Sequence, residues 1–220
     1  MGRLVLASRS PQRRAILEQL GVAFTVVVSD AEELEAGSDP VFVAVENASR
    51  KAQAVWRAGP VGLRAGAHRP SAGARPSSPP PARSAPVVLG VDTVVTLGGA
   101  VYGKPAGVAE ARETLSRLSG RVHEVVSGIA VVEGGAEPLV PEPLVRTAHA
   151  TTRVRFRELD AATLDWYLAT EEWRERAGGY AIQGRGAALV AGIEGDYLNV
   201  VGLPVAVLLE LLPGILHAGA

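Results

Sequence analysis

Cysteine is absent from the 220 residues, so neither a disulfide framework nor thiol chemistry is available. Lysine is nearly absent as well: of 22 basic residues only Lys51 and Lys104 are lysine, and the rest are arginine. No long apolar run occurs. The longest uncharged apolar stretch, Tyr197 to Leu209, contains Pro204 and is shorter than the roughly 20 residues of a membrane-spanning helix. A signal-peptide pattern is lacking, because the first apolar run, Leu4 to Ala7, is closely followed by Arg9. Neither sign of charge dominates: the formal net is −1, and no overall field draws the chain to nucleic acid or membrane. Histidines are few and scattered (His68, His123, His149 and His217), which argues against a zinc site. No G-x-x-x-x-G-K-[ST] motif is present, which disfavours a P-loop ATPase or kinase, and GYAIQGRGA lacks dinucleotide-fold spacing. The expectation is a cytoplasmic protein with no membrane partner and no stable nucleic-acid binding.

Hydrophobic residues make up 47% of the chain, ample for the core of one domain spanning residues 1–220. Leu4-Val5-Leu6-Ala7 reads as a short buried strand that runs straight into a helix. Ser10 is a good N-cap, Pro11 suits the first helical position, and Gly21 ends the helix. Arg13 and Arg14 then sit at the positive end of the helix dipole, where cations are unfavourable. Two adjacent violations of a local rule point to a bound anion, or else to two side chains pointing into water. The two lysines carry a related hint, because a compact, mobile ammonium suits phosphate oxygens in a way arginine does not reproduce.

Phe24 to Val28 reads as a strand ending in the acidic Asp30-Ala31-Glu32-Glu33. Asp39 and Pro40 start a helix whose apolar face is Val41, Val45, Ala48, Ala52 and Val55, with Glu46, Asn47, Arg50 and Lys51 largely off it. Residues 59–86 hold seven prolines, four glycines, four arginines and no acidic residue, a composition predicting a disordered loop insertion. Val87 to Leu97 and Ala100 to Lys104 read as a hairpin around Gly98-Gly99. A helix over Gly107 to Leu118 is followed by long strands over Val122 to Val132 and Leu144 to Phe156. Arg153, Arg155 and Arg157 alternate with Val154 and Phe156 on a solvated strand face. A helix over Asp160 to Ala169, a strand over Ala187 to Ile193 and a helix from about Pro204 complete the chain. Alternating helices and strands interrupted by hairpins predict an α/β fold with a mixed sheet flanked by helices.

Asp92 stands out among the polar residues. Its neighbours in VVLGVDTVVTL are apolar except Gly90 and Thr93, and an ionised carboxylate there is costly unless paired, metal-bound or hydrogen-bonded. With Gly98-Gly99 as the turn, Leu97 faces Ala100 and Thr93 faces Lys104, one rung from Asp92. A direct Asp92–Lys104 contact would need a twist or bulge near Gly103. Glu32, Glu33 and Asp196 supply further carboxylates.

Four segments, in this order, resemble the Maf-type nucleotide pyrophosphatases: LASRSPQRRAILEQLGVAF, VLGVDTVVTLGGAVYGKP, LSGRVHEVVSG, and AGGYAIQGRGA followed by IEGDYLNVVGLP. Together they cover most of the chain outside 59–86. The resemblance implies an elongated fold with two lobes around a cleft, like that of the inosine triphosphate pyrophosphatases. It implies hydrolysis of a nucleoside triphosphate to the monophosphate and pyrophosphate, with Asp92 as general base. Ser8, Arg13, Arg14, Glu33, Lys51 and Lys104 would contact the substrate, with Glu33 aligning better than Glu32. A divalent cation, Mg²⁺ or Mn²⁺, would be held by Asp92 and Glu33. Gln12, Thr93 and Gln183 fall where the family sets base preference. Thr93 and Gln183 look like the branch acting on dTTP and UTP, whereas Gln12 departs from that branch and from the one acting on 7-methyl-GTP. The other readings are a 7-methyl-GTP pyrophosphatase and a non-catalytic nucleotide-binding regulator of cell division. A homodimer is also implied.

Overall fold

Eleven residues from Val87 to Leu97 (β3) are buried on both faces almost throughout, which is how a near-continuous valine and leucine run satisfies itself. In the computed structural model, which describes residues 3–34, 39–59, 86–134 and 143–217, this strand is the spine. The loop expected over 59–86 falls almost wholly outside the described residues. β1 (Leu4–Ala7) runs parallel to β3 on one side and to β2 (Phe24–Val26) on its own far side. β5 (Val122–Glu133) lies antiparallel to β3 on the other side, followed by β6 (Leu144–Phe156) and β7 (Val190–Glu194). The short β4 (Ala100–Tyr102) returns along β3 through Gly98 and Gly99, both at positive φ as a two-residue hairpin turn requires. The mixed seven-stranded sheet has the order β2-β1-β3-β5-β6-β7, with β4 on β3.

Two cores cover one face of this sheet. The first packs α1 (Pro11–Gln19) and α6 (Val205–Leu211) around Leu4, Leu6, Leu89, Val91 and Ile129. The second packs α3 (Val108–Leu118) and α4 (Ala161–Leu168) around Val95, Val125, Val154 and Phe156. Strands β3 and β5 run through both, which gives the two lobes. At the junction the apolar alternation is broken by Thr93 and Ser127, which stand opposite each other in register.

The other face is covered by α2 (Pro40–Arg57), capped by Asp39, whose side chain accepts the Val41 N–H at 3.2 Å. Its buried row is Val43, Ala44, Asn47, Ala48, Ala52 and Val55, while Val41 and Val45 are only half-buried. This corrects the apolar face read from the sequence, and two glycines explain the shift. A Cβ at Gly90 would lie 2.1 Å from the Ala48 carbonyl oxygen, and one at Gly128 would lie 2.3 Å from that of Ala44. The helix therefore presses Ala44, Ala48 and Ala52 onto bare backbone, and Val41 and Val45 fall to the side. Gly128→Ala is expected to cost about 3 kcal/mol, the upper end for an added methyl in a packed core. Gly107→Ala, where a Cβ meets nothing within 4 Å, serves as control. Urea unfolding measures both, and equal losses would refute the close approach.

Other boundaries differ in detail. The second strand ends at Val26, and a 3₁₀ turn over Gly184–Leu189 takes the first part of the strand expected from Ala187. A short α5 (Tyr197–Val201) precedes the last helix, with Asp196 as its N-cap. Arg153, Arg155 and Arg157 are exposed, as the alternation predicts. Among the described residues no helix is long and apolar enough to cross a membrane.

Candidate active site

The sheet has a gap where the lobes meet. β1 follows β3 only as far as Ala7 opposite Gly90, and β4 takes up the same side of β3 only from Tyr102 opposite Val95. Residues 91–94 thus have β5 on one side and, among the described residues, no strand on the other. Val87 donates its N–H to the Arg3 carbonyl, so the main-chain groups of alternate residues face this side, and those of Thr93 open on the gap. Here lies a cleft of about 990 Å³, lined by Ser8, Gln12, Arg13, Glu33, Lys51, Asp92, Thr93, Lys104 and Gln183 among others.

The chain leaves β1 at Ala7 and enters α1 within the cleft. Ser10 caps that helix, its Oγ accepting the Arg13 N–H at 3.5 Å. Arg13 folds back into the protein and is 9% exposed. It donates from Nε to the Gly202 carbonyl (2.9 Å), from Nη1 to Ser8 Oγ (3.0 Å) and from Nη2 to Thr93 Oγ1 (3.0 Å). All three acceptors are neutral, and no carboxylate lies within ion-pair distance of Arg13 among the described residues. Burial lowers its pKa from the ordinary arginine value, against the raising influence of Asp92 and Glu33. A buried guanidinium without a counter-charge calls for an anion. Thr93 Oγ1 in turn lies 2.9 Å from Ser127 Oγ, and Asn199 ties α5 to β5 and β6 through the Val125 carbonyl (2.9 Å) and Thr152 Oγ1 (3.0 Å).

Asp92 projects from the opposite face of β3, toward α2. Its Oδ1 is 2.6 Å from Lys51 Nζ, and its Oδ2 accepts from Asn47 Nδ2 at 3.2 Å. Lys51 Nζ also lies 2.9 Å from Glu33 Oε1. Asn47 holds the loop that carries Glu33, accepting the Leu34 N–H at 2.7 Å and donating to the Leu34 carbonyl at 3.3 Å. The sequence reading missed Asn47 by placing it off the buried face. Its signal was an amide one helical turn before Lys51, at the i, i+4 spacing that puts both on one face.

Other expected residues are dispersed. Lys104 lines the cleft but pairs with Glu175 at 3.2 Å, because β4 ends at Tyr102 and the ladder never reaches Thr93. Arg14 points outward, about 100° around the helix from Arg13. It is exposed and lies 3.8 Å from Glu18, outside the cleft lining, so the expected Arg13–Arg14 pair is separated. Glu33 lines the cleft and Glu32 does not. Gln183 is exposed on the opposite wall, and Gln12 accepts from Ser10 Oγ at 3.0 Å. Asp196 spends its carboxylate on the Leu198 N–H at 2.7 Å, a structural cap.

No group of three or more potential metal-ligating side chains occurs among the described residues. Asp92 and Glu33 nonetheless converge on one cation, the Lys51 ammonium. Two carboxylates are what Mg²⁺ commonly takes from a protein when phosphate oxygens and waters supply its other ligands, so this donor pair fits such an ion.

The profile of a family described as Maf-like protein matches residues 3–215. Among curated relatives, the dTTP/UTP pyrophosphatase of Moorella thermoacetica is 43% identical, over 96% of this chain and 94% of its own. That of Symbiobacterium thermophilum is 41% identical, over 96% and 93%. A third, from Pyrococcus furiosus, is 37% identical, over 96% and 95%.

Proposed function

The chain belongs to the Maf family, and on that premise we propose that it is a nucleoside triphosphate pyrophosphatase acting on dTTP and UTP, releasing the monophosphate and pyrophosphate in the cytoplasm. The observation that carries the reading is Arg13: a buried cation with only neutral partners, in a cleft that also holds a carboxylate, Asp92. Ser8, Arg13 and Lys51 bind the triphosphate and offset its charge. Lys104 adds a mobile positive charge from the facing wall. Asp92 orients the attacking water and takes its proton at a carboxylate oxygen. Asn47 acts through Asp92, holding Oδ2 and the Glu33 loop in place. A divalent cation held by Asp92 and Glu33 would offset charge on the phosphate oxygens. Pyrophosphate release, measured across standard and modified nucleotides with Mg²⁺ or Mn²⁺, tests the reaction. Orthophosphate as the sole product would overturn it.

Base choice rests on Gln183 more directly than on Thr93. Thr93 Oγ1 is engaged by Arg13 and Ser127, so this residue positions Arg13 rather than meeting the base. The exposed Gln183 amide can donate and accept at once, matching a uracil-type edge. Gln183→Ala is expected to lower kcat/KM for dTTP and UTP by about tenfold to a hundredfold, the worth of two hydrogen bonds. The rate on 7-methyl-GTP should change little. Equal slowing on every nucleotide would remove Gln183 from base reading.

A further inference from the structure

Two of the cations lining the cleft, Arg13 and Lys51, differ in mechanical character. Arg13 is pinned by three hydrogen bonds, to the Gly202 carbonyl between α5 and α6, to Ser8 just after β1 and to Thr93 on β3. Lys51 has no such fork. Its Nζ stands between two carboxylates from different parts of the fold, 2.6 Å from Asp92 on β3 and 2.9 Å from Glu33 in the loop after β2. Its side chain is only 12% exposed, yet a four-carbon stem lets the ammonium move without moving α2. We propose that Lys51 occupies the cation position in the nucleotide-free protein, so that the divalent ion enters as a metal–nucleoside triphosphate complex rather than ahead of the nucleotide.

The chemistry works in both directions. A free divalent ion would find two carboxylates whose charge an ammonium already offsets at contact distance. Displacing Lys51 would leave its positive charge beside the incoming ion. With a triphosphate in the cleft, phosphate oxygens offer the ammonium a new acceptor and supply the metal with further ligands. The exchange then moves each cation to anionic oxygens and leaves neither stranded. It also accounts for a lysine at this position in a chain where 20 of 22 basic residues are arginine: a guanidinium fork held by two carboxylates would resist the swing. This inference rests on the pyrophosphatase reading.

Manganese titration of the purified protein, followed by the electron paramagnetic resonance signal of free Mn²⁺, tests it without turnover. Wild type alone should take up Mn²⁺ weakly, and Lys51→Met at least ~10-fold more tightly, the least expected from removing a competing unit charge at contact. Lys51→Gln should behave likewise and provides a second fold-competent variant. Adding Asp92→Asn to Lys51→Met should abolish the gain, locating the ion. Wild type binding Mn²⁺ without nucleotide as tightly as Lys51→Met overturns the proposal, as does a gain that survives Asp92→Asn. If wild type instead releases no pyrophosphate from any nucleotide, the pyrophosphatase reading fails, a result separate from the manganese titration.

Discussion

Asp92→Asn is expected to lower kcat by about 10²–10⁴-fold, the usual contribution of a positioned general base. The variant keeps the shape of the side chain and removes the ability to hold a proton. Only its oxygen can face Lys51, so the amide nitrogen meets Asn47 Nδ2 as a second donor, where Oδ2 now accepts at 3.2 Å. The local clash costs one hydrogen bond of about 1 kcal/mol, too little to unfold the domain. Nucleotide binding should survive, because Arg13, Ser8 and Lys51 remain. The check is single-turnover pyrophosphate release beside direct binding of a methylene-bridged analogue. A near wild-type rate would eliminate Asp92 as the base, and loss of binding with kcat intact would make it a substrate contact only.

Arg13→Ala is expected to reduce kcat/KM by about 10²–10³-fold, the loss seen when a preorganised donor to developing charge is removed. Arg14→Ala, one residue away but outside the cleft, should stay near wild type. The same pair of variants separates chemistry from folding. Removing Arg13 takes its donor from the Gly202 carbonyl and one bond each from Ser8 and Thr93, which keep Ser10 and Ser127 as partners, so a stability loss of about 1–3 kcal/mol should accompany the activity loss. Arg13→Lys should not restore activity, since an ammonium cannot span three acceptors set in a guanidinium's geometry. Full rescue by lysine would mean that only the charge matters. Equal effects at Arg13 and Arg14 would contradict the outward placement of Arg14.

Much of the fold was legible in the sequence because its strands are long and strongly patterned. β3 over Val87–Leu97 and β6 over Leu144–Phe156 match the strands read from the pattern. The caps Ser10, Asp39 and Asp160 mark helix starts by side-chain bonds that depend only on local sequence. Where the reading of α2 and of Lys104 failed, the cause was distant in sequence. The phase of α2 is set by Gly90 and Gly128 on two other strands, so Val41 and Val45 fall beside the buried row while Val43 and Asn47 enter it. The partner of Lys104 is Glu175, 71 residues away, which no extrapolation of the hairpin could supply. Asp92 stood out because a carboxylate in an apolar strand is anomalous by itself. The arrangement around it did not, because Lys51, Asn47 and Glu33 come from two other elements. The pairing of Arg13 with Arg14 failed for a local reason, since adjacent helical residues point in different directions.

The gap beside residues 91–94 has a further consequence, for association between molecules. Unpaired main-chain donors and acceptors along a strand normally invite another chain to add itself, and proteins guard such edges with charge, bulges or coverings. Here the guard is architectural. The stretch without a strand beside it is only four residues, roughly 13 Å at strand rise. It is stopped at one end by β1 turning into α1 and at the other by β4 already in place. A foreign strand would have to begin and end within that interval, with no room to extend in either direction. A small solute with its own donors and acceptors has no such restriction. The same interruption of the sheet is long enough for a nucleotide-sized ligand and too short for another polypeptide strand, so an open sheet edge here need not make this protein sticky toward its own copies.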